Sequence, residues 1–193
     1  MTKYYKVLTE DLKSCNGGNS QWTLGEWMPE IEGNLELCEN GYHLCRREDL
    51  AHWLGEAIFE AEYDGEIIEG DDKVVVRKAR ITRRIDTWTE RTARLFACDC
   101  AERALELIDE SDRDQRSIDA IAIARRFANG EATREELAAA RDAAWDAVDD
   151  AWGAAWDAAG AAARAAAGAA ARDAAWAPAW EWQTDKLFEY LEE

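Results

Sequence analysis

The chain has 193 residues, 48% hydrophobic and 10% aromatic, enough for one large domain or two small ones with a core. Its net charge is −18, and the excess is spread evenly: residues 1–90 carry 11 basic and 19 acidic side chains, residues 91–193 carry 12 and 22. Such a charge argues against direct binding to nucleic acid, and the absence of a charge-free apolar run of about 18 residues argues against a membrane span.

Tyr4–Leu8 reads as a short strand. Ser14–Ser20, containing Asn16-Gly17-Gly18-Asn19, reads as a loop. Asn40-Gly41 is a turn dipeptide ahead of the β-prone Tyr42–Cys45. Glu48–Leu54 has the pattern of a short helix closed by Gly55. In Ala57–Tyr63 the residues alternate, with Phe59, Ala61 and Tyr63 on one face and Glu60 and Glu62 on the other. Asp64-Gly65 then predicts a hairpin turn. Lys73–Ile85 is a long β-prone run interleaved with Arg77, Lys78, Arg80, Arg83 and Arg84. Residues 1–86 thus predict a small mixed β-sheet domain with one short helix.

The composition shifts after residue 86. Thr87-x-x-Glu90 has the form of a capping box. Leu95, Cys98, Ala101, Leu105 and Ile108 share one helical face, and Phe96, Cys100, Ala104 and Leu107 another, so this helix is expected to pack on two sides. A second helix over Arg116–Phe127 ends at Asn129-Gly130. Thr133-x-x-Glu136 opens a long alanine-rich helical run to at least Gly160. In it Trp145, Val148, Trp152 and Trp156 lie on one face and Asp142, Asp146, Asp149 or Asp150, and Asp157 on another. Pro178 marks a break or a new first turn before a last helix near Ala179–Leu191. Residues 87–193 predict an all-helical domain. The fold class is α+β: a small strand-rich N-terminal domain followed by an alanine- and tryptophan-rich helical bundle.

Little in the chain points to catalysis. It has two histidines, His43 and His52, and neither a G-x-S-x-G elbow nor a phosphate loop. No catalytic residue and no cofactor are expected. Cys38, His43 and Cys45 are the candidate metal ligands, but no pair has the usual two-residue gap, and no metal is expected. Cys98 and Cys100 point about 200° apart on a helix and cannot share an ion. Five cysteines without a signal segment fit reduced thiols in the cytoplasm. The basic cluster Arg77–Arg84 either balances the glutamates of the sheet or forms an anion pocket. A candidate small-molecule site takes His43, Glu62 and Arg80.

Two resemblances rest on particular blocks. Tyr5-Lys6-Val7-Leu8, Leu37-Cys38-Glu39-Asn40-Gly41-Tyr42-His43-Leu44-Cys45 and Glu60-Ala61-Glu62 with Gly65-Glu66 resemble a small domain common in phage and prophage genomes, over roughly residues 3–85. Arg94–Arg103, Arg116–Ile121 and the alanine-rich tail resemble bacterial alanine-rich helical immunity proteins, over about residues 91–193. The first resemblance implies a mobile-element origin, the second neutralisation of a toxin by tight binding.

The expected function is a non-enzymatic acidic binding protein, a phage or prophage inhibitor of a host defence protein such as a CRISPR effector. It would engage a basic partner through Asp142, Asp146, Asp149, Asp150 and Asp157. The alternatives are an immunity protein for a bacterial toxin, and a nucleotide- or anion-binding protein or degenerate transferase on the N-terminal sheet. The alanine-rich helices can pack within one chain or pair between two copies, so a homodimer stays open.

Overall fold

The computed structural model describes residues 3–106, 110–144 and 168–192. They form two compact units, one of the residues up to Thr89 with those from Trp180 onward, the other of the residues from Glu90 to Ala179. A four-stranded antiparallel sheet is followed by helices, so the architecture is α+β.

The sheet unit contains β1 (Tyr4–Leu8), β2 (Tyr42–Leu44), β3 (Ala57–Glu69) and β4 (Val74–Arg84) in the order β1-β3-β4-β2. Alternation along β3 turns Ala57, Phe59 and Ala61 inward. There they meet Val74, Val76, Ala79 and Ile81 of β4, together with Leu8, Trp22, Tyr42 and Leu44. The sheet curls until its two edges touch: Tyr5 and Cys45 exchange backbone hydrogen bonds of 2.8 and 2.9 Å. Beyond the three residues paired with β2, the edge of β4 is covered by a loop. The N–H groups of Gly25, Met28 and Ile31 donate to the carbonyls of Ile81, Ala79 and Arg77 at 2.8, 2.8 and 3.0 Å. The carbonyls that would otherwise template aggregation are therefore satisfied.

Two local expectations change. Asp64-Gly65 does not reverse the chain; β3 runs on to Glu69, with a register shift between Asp64 and Ile67 and Gly65 at φ 85°. The left-handed glycine is accommodated as a bulge within the strand. The chain turns at residues 70–73, where the Gly70 N–H donates to the Lys73 carbonyl at 2.8 Å. The expected helix at Glu48–Leu54 contracts to a 3-10 turn, Leu50–His52, anchored by buried Leu50.

The end of the chain completes this unit. Tyr5, which alternation turns away from the inner core, meets Phe188 edge-on with ring centroids 5.4 Å apart. The Arg47 guanidinium lies 3.8 Å from the Phe188 ring centroid, and Arg47 also pairs with Asp185 at 3.1 Å. His52 stacks on Trp180 at 3.8 Å, and Leu187, Phe188 and Leu191 are buried. The sequence divides once, at residue 86; in the structure the residues from Trp180 onward group with the sheet, because this is where their apolar side chains find a surface.

The helical unit contains α1 (Glu90–Glu106), α2 (Gln115–Ala128) and α3, whose described residues are 134–144. The first helix begins at Glu90 itself, and the Thr87 hydroxyl donates to the Leu191 carbonyl at 3.0 Å. Leu95, Phe96 and Cys98 are its buried residues. Arg125 of α2 bridges Asp99 and Glu102 of α1 at 2.8 and 2.7 Å. Asp114 caps α2 by accepting from the Arg116 N–H at 2.8 Å, and Gly130 ends the turn with φ 75°. The box ahead of α3 forms in both directions: the Thr133 N–H donates to Glu136 at 2.7 Å and the Glu136 N–H to the Thr133 hydroxyl at 3.1 Å. The helix α4 (Gly168–Glu192) is continuous across Pro178, where the sequence predicts a break or a new first turn. The proline removes one backbone donor, and the alanines around it favour helix strongly enough to carry on. The tryptophan face from Trp145 to Trp156 lies outside the described residues. No helix among the described residues is long and apolar enough to cross a membrane.

Candidate functional site

Two features of the sheet unit stand out, a cleft and an acidic segment. The cleft, of about 460 Å³, opens beside the seam where Tyr5 meets Cys45. Alternation along β1 places Lys6 on the same face as Tyr4 and Leu8, toward the interior. Its ammonium donates to the His43 carbonyl at 3.0 Å and lies 5.3 Å from the Trp22 ring centroid. No carboxylate among the described residues pairs with it. Burial pushes the Lys6 pKa down.

His43 stands across from Lys6 on β2. Its Nε2 accepts the Cys38 N–H at 2.9 Å, so in the neutral ring the proton sits on Nδ1. Burial, then Lys6 and Lys73, push the histidine pKa below its ordinary value, which keeps the ring neutral at pH 7. Cys38 holds a left-handed backbone, φ 67°, that a non-glycine residue rarely adopts. The bond from its N–H to His43 helps fix that conformation. Cys45, beside the seam, is buried, and burial pushes its thiol up to about 12. The Trp22 indole donates to the Ser14 hydroxyl at 3.0 Å, the Tyr42 hydroxyl to the Pro29 carbonyl at 2.8 Å and the Trp53 indole to the Asp72 carbonyl at 2.8 Å. Their polar ends are thereby engaged, and the Lys73 ammonium lies 4.2 Å from the Trp53 ring centroid.

Of the small-molecule trio, only His43 lines this cleft. Glu62 and Arg80 face each other across β3 and β4, joined by bonds of 2.9 and 2.6 Å. The separation follows from register: His43 stands opposite Val75 on β4, five residues from Arg80. The other cations of that cluster are also engaged. Arg77 pairs with Glu66, Arg83 with Glu60 at 2.8 Å and Arg84 with Glu10 at 2.7 Å, while Lys78 lies 5.3 Å from the Trp27 ring centroid. The cluster balances the glutamates of the sheet. Cys38, His43 and Cys45 do not assemble a ligand set, and among the described residues no three His, Cys, Asp or Glu side chains do. Asp142 is exposed and pairs with Arg141 at 3.2 Å; Asp146, Asp149, Asp150 and Asp157 lie outside the described residues.

The acidic segment was not singled out from the sequence. Glu26, Glu30, Glu32, Glu36 and Glu39 are all exposed, and none has an ion-pair partner among the described residues. Leu24, Trp27 and Leu37, three of the four large hydrophobic residues exposed among the described residues, lie on the same stretch. The stretch is held in place: besides its bonds to the edge of β4, Arg77 donates to the Ile31 and Gly33 carbonyls at 2.7 and 2.9 Å. The Asn40 amide donates to the Glu32 and Asn34 carbonyls at 3.0 and 2.7 Å. A signal was present, for residues 14–45 contain no lysine or arginine.

Residues 2–92 match the model of a family described as a domain of unknown function, DUF7666. The match covers the N-terminal region that the sequence marks off as a small domain. No curated protein and no solved structure matches the chain.

Proposed function

We propose that the chain is a non-enzymatic acidic binding protein that docks a basic protein partner through residues 24–39. The observation that carries this is the set of five exposed glutamates without a cation partner among the described residues, mounted on an anchored segment beside exposed Leu24, Trp27 and Leu37. Carboxylates steer a basic partner and set its orientation, while the apolar side chains supply contact area. An anchored segment also loses little freedom on binding. With a net charge of −18, the partner class is a protein with a strongly basic surface. On this reading the chain is a phage or prophage inhibitor of a host defence protein, of which CRISPR effectors, with their basic nucleic-acid channels, are one class. A bacterial toxin neutralised by an immunity protein is the alternative partner, and it uses the same physics.

The test is affinity capture from a bacterial lysate with the wild-type chain and two neutralised variants. One carries Glu26, Glu30, Glu32, Glu36 and Glu39→Gln, the other Asp142, Asp146, Asp149, Asp150 and Asp157→Asn. The expected result is one basic protein retained in about 0.1 M salt and released in about 1 M salt, as the screening length falls from about 10 to about 3 Å. It should be lost from the glutamate variant. Retention by that variant and loss from the aspartate variant would move the surface to the helical unit. A partner indifferent to salt and to both variants would end the electrostatic reading.

A further inference from the structure

The sheet unit neutralises its cations with care. Arg46, Arg47, Arg77, Arg80, Arg83 and Arg84 each have a carboxylate partner. Among the described residues Lys6 has none, although the chain holds 41 acidic against 23 basic side chains; Lys78, the other lysine of this unit without one, lies over the Trp27 ring. A cation withdrawn from water without a counter-charge is costly, so its retention calls for an anion. Its one hydrogen bond among the described residues, to the His43 carbonyl, leaves two of three ammonium hydrogens for another acceptor. Lys73 brings a second ammonium to the same cleft, with Asp72 at the longer distance of 3.7 Å. Glu39 is the one carboxylate of the lining, and it is exposed. Trp22 and Tyr42 form buried walls of the space and half-buried Trp53 its rim, their polar ends bonded elsewhere. A volume of about 460 Å³ falls within the range of small-ligand pockets.

We propose that this cleft binds a small organic anion, its carboxylate or phosphate group held by Lys6 and Lys73 and its planar apolar body resting against the half-buried Trp53. Neutral His43 neither competes for the anion nor repels it. Burial already pushes the Lys6 pKa down, and a bound anion works in the opposite direction. Affinity should therefore fall as pH rises and Lys6 loses its proton.

The test is isothermal titration of the full chain with four probes of similar body: benzoate, phenyl phosphate, neutral benzamide and cationic benzylamine. The expected result is that at least one anion binds about tenfold or more tightly than benzamide, and benzylamine not at all. A preference for phenyl phosphate assigns a phosphate ligand; a preference for benzoate assigns a carboxylate. Lys6→Met should lower the affinity for the preferred anion about tenfold and leave benzamide unchanged. Lys73→Gln should lower it about threefold. Should Lys6→Met fail to fold, amide NMR of the wild-type chain decides: the better anion should shift the signals of Lys6, His43 and residues 16–20. Equal affinity for benzoate, phenyl phosphate and benzamide overturns the proposal, as does unchanged anion affinity in folded Lys6→Met or an anion that leaves those signals unmoved.

Discussion

Asp49 is only 3% exposed, and nearby Arg46 engages it fully. The Arg46 side chain donates to its two oxygens at 2.7 and 3.1 Å, and the Arg46 N–H adds a third bond at 3.1 Å. The same guanidinium reaches the Gly70 carbonyl at 2.9 Å, so one buried pair ties the end of β2 to the turn between β3 and β4. Removing Asp49 strips three hydrogen bonds from Arg46 and leaves it only the longer contacts to exposed Glu48 and Glu69 at 3.5 and 3.6 Å. Asp49→Ala is therefore expected to cost about 2 kcal/mol in urea unfolding, the magnitude of lost charge-assisted hydrogen bonds. By contrast Lys13→Ala, which breaks a solvent-exposed pair with Asp11, should leave the urea midpoint nearly unchanged. Equal effects would mean that burial of the Arg46 pair is not what holds the turn. The cysteines divide in the same way. Burial pushes Cys45 up to about 12 and Cys100 up to about 11, so both stay protonated thiols that pack rather than react.

The short strand β2 depends on the glycine before it. Gly41 sits at φ 138°, and a Cβ there would lie 2.2 Å from a Val75 methyl carbon and 3.1 Å from Leu35. Val75 is fully buried and Leu35 nearly so, so neither can yield cheaply. Gly41→Ala should therefore cost about 2 kcal/mol or more and loosen β2 first, read as faster hydrogen exchange at Tyr42 and Leu44. Exchange unchanged at those amides would show that the backbone there tolerates a side chain. The strands themselves were legible, because an alternating pattern such as Phe59-Glu60-Ala61-Glu62-Tyr63 has one period and one buried face. The bulge at Gly65 was not, since a left-handed glycine serves a hairpin turn and a bulge equally well, and only pairing with β4 decides. The cleft was half legible. His43 was singled out, but its neighbours Lys6 and Lys73 come from distant positions, and only the curl of the sheet brings them together. The acidic segment was legible in the absence of cations between Lys13 and Arg46. The aspartates at helical spacing are the more conspicuous feature, because periodicity is the stronger local signal.

At the scale of the whole chain, the compact units do not follow sequence order. The residues from Trp180 onward belong with a sheet built from the first 89 residues, so the two ends of the chain fold as one body. Phe188, 3% exposed, is the hinge of that arrangement in energetic terms: it stacks edge-on with Tyr5 of β1 and under the guanidinium of Arg47. Replacing a buried phenylalanine by alanine removes its transfer energy and leaves a cavity, together about 3 kcal/mol or more. Phe188→Ala should therefore lower the stability of the sheet unit by about that amount. The informative readout is local. Hydrogen exchange at Tyr5 and Val7, more than 180 residues before Phe188 in sequence, should rise by the same free energy as exchange at Leu187, because residues in one cooperative unit open together. If exchange rose at Leu187 while β1 kept its protection, the C-terminal turns would be a detachable cover. The sheet would then be a complete domain without them.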